Sequence, residues 1–546
     1  MSKVSGGVKQ LYQFSVSSRN SWEQLQQAKE QLQPSRNLHA GIGGRKKTAP
    51  LLLGVPNRLA AKPYNAVGGK SAEGSARGST PTTTTTTSAT SHSNELTTAS
   101  AVSPSYVEEY ESTTLPYSGN KTGKKLQVND SAATYGSLST LHLIRSYLVL
   151  KMAQLPLVAS VGPKIFSATQ KLPNVMRQPA NYVVKKTFFE QFCGGESLVE
   201  AVTATQRLRD SGISCIFDYA AEGLVGEENV YDSAASVVES TILQARDIGA
   251  GGFSCIKVSA VSPMSVLEKV TCSIHGNGGI TSVDPELTLN PMNVPNLTHE
   301  EAAEWQQVIS RLDRVCKAAY EKGVPILIDA EQYYVQEAIE YLALGMQKRY
   351  NRDMHSPAIV YTTVQCYLKS AVDRVEQGLG LGSNLDFKYA AKLVRGAYLF
   401  FERRLALEKG YSSPVFDCIE DTHRCYNDIA ARMVSQVSNN SASLMLATHN
   451  LDSVEKAATQ MAQKQLHASN PNVYFAQLFG MGDSMTMALA KEGYNTCKYV
   501  PFGPIEEVMP YLTRRIEENR DILGGARKEV SLFSEELKRR VLLRAA

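Results

Sequence analysis

Eight short apolar or β-branched runs recur from residue 213 onward, at 213–219, 253–258, 325–328, 358–363, 392–397, 444–448, 473–478 and 496–500. Between and after them lie stretches with helical apolar spacing, at 234–247, 300–320, 335–347, 371–377, 428–434, 454–463, 485–491 and 505–519. Strands that alternate with helices pair in parallel, and eight such units close on themselves. The pattern therefore predicts an α/β chain whose residues 211–546 form a (β/α)8 barrel of the TIM type with C-terminal helices. One irregularity interrupts it, an insertion at 272–297 with no clear period and too few acidic residues for a calcium loop.

The rest of the chain reads differently. Residues 136–210 read as an N-terminal helical segment; within it 180–210, with apolar spacing at Phe188, Phe189 and Phe192 and then at Leu198, Val199, Val202 and Leu208, would cap one end of the barrel. Within it, 138–161 is apolar, but Arg145 and Lys151 interrupt it and Pro156 would break a helix. It reads as a packed or amphipathic helix, and as the candidate for contact with a membrane surface, rather than as a span. Residues 63–135, dominated by Ser, Thr, Gly and Ala and containing the run Thr82 to Thr87, read as a disordered linker. The first 70 residues hold eleven Lys or Arg against only Glu23 and Glu30, the balance of an organelle import signal or of a basic disordered tail; 1–62 reads as a targeting region, mitochondrial in preference to chloroplast.

Composition narrows the function. A net charge of +4 over 546 residues, with both signs interleaved, leaves nucleic-acid binding without an electrostatic footprint. The nine cysteines include no CxxC pair, so neither a disulfide framework nor a zinc site is expected, and a reducing compartment fits.

Residues that end barrel strands point into the site at the barrel's C-terminal mouth. Here those are Lys257, Asp329, Glu331, Gln365, Thr448, His449, Asn450 and Tyr499. Glu331 and Asn450 read as structural groups; the convergence of the others on one mouth reads as a functional site. The fifth run carries Lys392 and Arg395 about an apolar centre, followed by Gly396, which suits an anionic or electron-rich cofactor and equally a strand with solvated ends and a turn glycine. In the last barrel helix Arg514 and Glu518 stand at i,i+4, and Arg515 and Glu518 at i,i+3. That spacing fits exposed salt bridges as well as it fits two arginines held for bidentate recognition of a carboxylate.

Five separated strings carry a resemblance: Ile328-Asp329-Ala330-Glu331, Lys392 through Tyr398, Ala447-Thr448-His449-Asn450, Gln477 through Asp483, and Tyr511 through Asn519. In this order, and at these strand ends, they resemble the proline dehydrogenase (proline oxidase) family over about residues 180–540, and Lys498 through Pro504 is similar to its plant members. The resemblance implies a distorted (β/α)8 barrel that binds FAD. It implies oxidation of L-proline to Δ1-pyrroline-5-carboxylate, the first step of proline catabolism to glutamate, by hydride transfer from C5. Electrons would pass to ubiquinone or the electron-transfer chain, on the matrix side of the inner mitochondrial membrane with peripheral membrane contact.

Residue by residue, the resemblance places Arg514, Arg515 and Lys257 on the proline carboxylate, with Glu518 orienting the arginines. Tyr398, Leu478 and Tyr499 would close over the proline ring. Ile328, Gln365, Arg395, Gly396, Ala397, Thr448 and His449 fall at FAD-contacting positions, and Asp329 and Lys392 at active-site positions. Many bacterial members carry arginine at the place of Lys392, so a bidentate contact becomes a single-point one here. The bulk of Tyr499 favours proline over hydroxyproline. A flavin barrel acting on another substrate would share the fold without the paired arginines, and a non-catalytic scaffold would need none of these residues together.

Overall fold

The computed structural model describes residues 125–545, apart from stretches within 156–172, at 227, at 249–251, within 277–288 and at 522–524, and without the side chains of 174, 292, 517–526 and 544–545. The targeting region read at 1–62 and most of the linker read at 63–135 lie outside the described residues. The end of that stretch is folded instead: Leu126, Val128 and Tyr135 are buried, and Asp130 caps a helix at Ser131–Tyr135. Low apolar content over a long window hid three large side chains that have a core to enter.

Eight parallel strands close into a barrel in sequence order: β1 (Ser214–Tyr219), β2 (Phe253–Ile256), β3 (Ile326–Ile328), β4 (Val360–Gln365), β5 (Tyr389–Val394), β6 (Ala442–Ala447), β7 (Val473–Leu478) and β8 (Thr496–Phe502). The closing pair is β1 with β8, in a register that sets Ile216 beside Tyr499 and Asp218 beside Pro501. Successive side chains on a strand point to opposite faces. Ile216, Cys255, Leu327, Tyr361, Ala390, Met445, Ala476 and Cys497 fill the barrel interior, while their neighbours Cys215, Phe217 and Ile256 pack outward against the helices.

One strand differs from its sequence reading in register. The run at 392–397 marks only the end of β5, which spans Tyr389–Val394; Gly396, at φ +135°, takes a backbone conformation that ends extended pairing. Lys392 thus lies inside the barrel rather than at the strand's start, buried among interior groups. The helix read at 300–320 spans His299–Lys322, fixed by a capping box in which Thr298 and Glu301 satisfy each other's backbone N–H and by Gly323 in the left-handed region at φ +63°. Helices at Met264–Gly276 and Leu399–Lys409 form where no helical period was read, the first taking in the start of the 272–297 insertion.

The distortion of the barrel lies at its eighth unit. The short helices Leu198–Ala204 and Gln206–Asp210 pack beside β8 and β1, where a regular eighth helix would stand. The Ile505–Asp521 helix instead packs on Thr140–Ala153 and on the π-helical turn Lys185–Phe189. A second core forms there from Phe189, Phe192, Leu143, Val508, Leu512 and Phe533, and Leu478 and Tyr499 border it. Gly503, at φ +142° directly after β8, permits the change of chain direction that leads into this helix. The helical cap expected of residues 180–210 is therefore shared with the end of the chain.

Candidate active site

Alternation along the strands builds the site from the interior layer. One pleat toward the mouth from Ile216, Cys255, Leu327, Ala390, Ala476 and Cys497 come Asp218, Lys257, Asp329, Lys392, Leu478 and Tyr499. An apolar layer is thus roofed by a charged one. Lys257 Nζ donates to both carboxylate oxygens of Asp218 at 2.8 Å and stands 3.3 Å from the Tyr499 hydroxyl. Tyr499 donates to Asp329 at 2.7 Å, and Asp329 also accepts from Lys392. The ammonium groups of Lys392 and Lys257 lie 5.2 and 6.0 Å from the centre of the Tyr499 ring.

These groups are buried, and buried charges persist only when paired. Burial alone would push the Asp329 carboxyl up, but Lys392 and Lys257 outweigh it and hold it below its ordinary value. Burial would lower Lys257 and Lys392, and the facing carboxylates more than reverse this, so both stay ammonium. Asp218, fully buried and served by one lysine, is left above its ordinary value, which makes it the more readily protonated of the two acids. Burial and the carboxylates Asp218 and Asp329 push the Tyr499 phenol well up, so it remains a hydrogen-bond donor. Asp218, Cys255 and Asp329 could bring ligand atoms within 4.8 Å of one another, but two ammonium groups already occupy these carboxylates.

Arg514, on the Ile505–Asp521 helix, makes a bidentate contact with Glu222 at 2.5 and 3.1 Å and lies 5.1 Å from the centre of the Tyr398 ring. Burial would raise Glu222, and Arg514 outweighs it to hold the carboxyl below its ordinary value. Arg515 is buried with its guanidinium 4.9 Å from the Tyr511 ring centre. The side chain of Glu518, expected to orient both arginines, lies outside the described residues. Glu331 is structural: it accepts from the Ser259 backbone and hydroxyl, and burial pushes its carboxyl up to about 7. Asn450 caps the Leu451–Gln463 helix.

On the β4 to β6 side, Gln365 donates to the Glu331 carbonyl at 2.9 Å beside the buried Ile328. Arg395 donates to His423 Nδ1 at 3.0 Å, to Thr448 and to Ser453 at 2.9 Å, with the Tyr426 ring 4.5 Å away. Next to it, the space at Gly396 is taken by Tyr367: a Cβ there would stand 2.5 Å from that ring. Ala397 leads from this turn to Tyr398. His449 Nε2 accepts from the Leu478 backbone at 3.2 Å, and burial with Lys498 and Arg515 nearby lowers the imidazole to about 3. The neutral ring then carries its proton on Nδ1.

The sequence reading missed two acids. Asp218 could have been found by alternation with Ile216, but a lone acid in an apolar run gives little signal. Glu222 follows β1 in a loop and has no pattern of its own. Lys498, also unforeseen, braces the turn after β7 through the carbonyls of Leu478 and Met481 and through Asp483.

A family profile described as proline dehydrogenase matches residues 201–528. Among similar proteins, mitochondrial proline dehydrogenase 1 of Dictyostelium discoideum is 34% identical over 445 residues, covering 77% of this chain and 76% of that one. Hydroxyproline dehydrogenase of Xenopus laevis is 29% identical over 414 residues, covering 74% and 88%. Among solved structures, proline utilization A from Bdellovibrio bacteriovorus matches with a TM-score of 0.52 at 16% identity, covering 72% of this chain. The chain spans 38% of that longer protein, and the likeness is one of fold. By sequence, this chain belongs to the proline dehydrogenase family.

Proposed function

We propose that this chain oxidises L-proline to Δ1-pyrroline-5-carboxylate with bound FAD, in the first step of proline catabolism to glutamate. The acceptor is ubiquinone or another component of the electron-transfer chain, reached from the matrix side of the inner mitochondrial membrane; the mitochondrial names of relatives support that location. One observation carries the reading. Lys257 is held by the buried carboxylate of Asp218 and Arg514 by the half-buried one of Glu222, and each cation stands by a phenol ring, Tyr499 and Tyr398, at one barrel mouth.

A small amino acid needs cations for its carboxylate and apolar faces for its ring. Arg514 offers a planar fork suited to a carboxylate, with Lys257 and Arg515 as further positive charge. Tyr398, Leu478 and Tyr499 exclude water and orient the ring. Arg514 engages substrate as it loosens from Glu222. Asp329 and Lys392 hold the Tyr499 phenol in place, so a hydroxyl added to the proline ring meets a side chain that is slow to swing aside. That favours proline over the hydroxyproline named for the Xenopus relative, although rejecting one added group sterically gives modest discrimination.

The donor set on the β4 to β6 side fits FAD. Each terminal nitrogen of Arg395 keeps a second N–H beyond those given to Thr448 and Ser453, His449 keeps its Nδ1–H, and Gln365 has an amide. Arg395 would meet a pyrophosphate, and the neutral donors His449, Gln365 and Thr448 the carbonyl-rich ring, with Ile328, Gly396 and Ala397 as backbone surroundings. When bound, FAD supplies the hydride acceptor, and the protein supplies binding, orientation and electrostatics.

The test is an anaerobic absorbance titration of the purified full chain with L-proline, paired with 4-hydroxyproline. Bleaching of the oxidised flavin by proline alone is expected. A yellow protein that ignores proline would move the substrate; equal bleaching by hydroxyproline would favour the second substrate; a protein that stays colourless after reconstitution with FAD would remove the flavin reading.

A further inference from the structure

The Thr140–Ala153 helix is apolar on two opposite sides. Leu143, Val149, Leu150 and Ala153 are buried, as is Ser146. On the far side Leu141, Ile144, Leu148, Met152 and, just beyond the helix, Leu155 are exposed, Leu141 to 81%. At 3.6 residues per turn these five fall within an arc of roughly 80°. A helix that meets water on one side ordinarily carries polar residues there. This one does not.

The stripe continues onto the last helix, Gly525–Ala545. Arg540 donates to Thr140 Oγ1 at 3.1 Å and to the carbonyls of Tyr135 and Gly136, which sets residues 541–543 beside the start of the apolar stripe. Val541, Leu542 and Leu543 are all exposed, Leu542 to 69%. A contiguous exposed apolar surface of this kind marks an interaction site.

Charge identifies the occupant. Between Asp130 and Glu190 the chain has no Asp or Glu but seven Lys or Arg. Glu190 holds Arg145 and Lys186, and Glu196 holds Lys185; Lys151, at the edge of the stripe, and Lys538 and Arg539, beside residues 541–543, are exposed. An apolar stripe bordered by cations complements the acyl boundary and the headgroups of an anionic bilayer. Among the described residues no helix is long and apolar enough to cross a membrane. We infer that the face formed by Leu141, Ile144, Leu148, Met152 and Leu155, with residues 541–543, is the surface by which this protein lies on an anionic lipid bilayer. This deepens, and rests on, the reading that electrons leave to a membrane acceptor: the same helix packs on the Ile505–Asp521 helix that carries Arg514, so docking by this face sets the substrate-binding end of the barrel near the lipid surface.

The experiment is flotation of the full chain with phosphatidylcholine vesicles, with and without phosphatidylglycerol, alongside proline-dependent reduction of a soluble dye. The parent is expected to float with phosphatidylglycerol vesicles and to be released by salt. The Leu141→Glu/Leu148→Glu variant is expected to bind them at least about tenfold more weakly, with dye reduction unchanged. Leu243→Glu, exposed on the Glu228–Asp247 helix away from this stripe, is the control and is expected to float as the parent does. As a second variant that leaves the apolar residues intact, Lys151→Glu/Lys538→Glu is expected to lose the preference for phosphatidylglycerol. Parent-like flotation of the leucine variant overturns the inference, as does flotation of the parent that ignores headgroup charge. So does a shift from dimer to monomer in light scattering with flotation unchanged, which would assign the face to a second copy. Loss of dye reduction in the parent, with flotation intact, would strike the proposed reaction and leave the surface standing.

Discussion

The Tyr499 phenol donates to the Asp329 carboxylate at 2.7 Å, so a side chain from β8 is held by the end of β3 across the barrel mouth, with Lys257 of the β2 end 3.3 Å from the same oxygen. The contact closes a chain of alternating charge, Asp218, Lys257, Tyr499, Asp329 and Lys392, in which each buried ion has a partner of opposite sign or a hydroxyl. Removing one member leaves a neighbour under-satisfied, which is where the mutational cost arises.

Tyr499→Phe removes a hydrogen bond to a charged group while keeping the ring. Denaturant unfolding is expected to show a loss of about 1.5–3 kcal/mol. Tyr499→Ser also opens space over the substrate, and the ratio of kcat/KM for proline to that for 4-hydroxyproline is expected to fall about tenfold or more. A serine variant as selective as the parent would remove Tyr499 from substrate discrimination.

Arg514→Met deletes the planar fork held by Glu222. The apparent KM for proline is expected to rise by roughly one to two orders of magnitude, in keeping with a charge-assisted pair, with the flavin content of the purified protein unchanged. Parallel loss of proline affinity and flavin would show that the arginine organises the whole mouth rather than the carboxylate.

Gly396→Ala places a Cβ 2.5 Å from the Tyr367 ring at a φ of +135° that L side chains rarely adopt. A midpoint shift equivalent to about 1–3 kcal/mol is expected, together with weaker flavin retention, because Arg395 precedes this turn. A variant as stable as the parent would mean that Tyr367 swings away freely.

His449, with its imidazole lowered to about 3, binds a proton more readily when unfolded, where the value is about 6.5. Its contribution to stability is complete above pH 6.5 and is lost as pH falls toward 3. Between those limits the parent is expected to lose stability more steeply than His449→Gln, by up to about 1.4 kcal/mol per pH unit. Glutamine keeps an acceptor for the Leu478 N–H without the titration. Equal slopes from pH 6.5 to 4 would show that His449 is not the group responsible.

Much of the site was legible because a parallel strand leaves a simple imprint. Lys257, Asp329, Gln365 and Tyr499 stand out as polar groups closing apolar runs, and a strand end has one geometric meaning in a barrel. The apolar run that appears to begin at Lys392 begins three residues earlier, because Tyr389, Ala390 and Ala391 already belong to β5. That shift moves Lys392 from a strand start to the interior. The folded segment around Leu126, Val128 and Tyr135 was lost in a window average for the opposite reason, few residues with much burial.

By itself the sequence determined the eight strands, most of the helices between them and which side chains can share a face, since period-two and helical spacings are local properties of the backbone. It limited Arg514 to neighbours such as Glu518 three or four residues away. Only the tertiary structure decided that Arg514 is paired with Glu222, 292 positions earlier in the chain, and that the Ile505–Asp521 helix leaves the barrel wall for the cap. Spacing sets what a residue can reach along its own element, whereas contacts between elements depend on how the closed barrel brings the ends of β1 and β8 to one mouth.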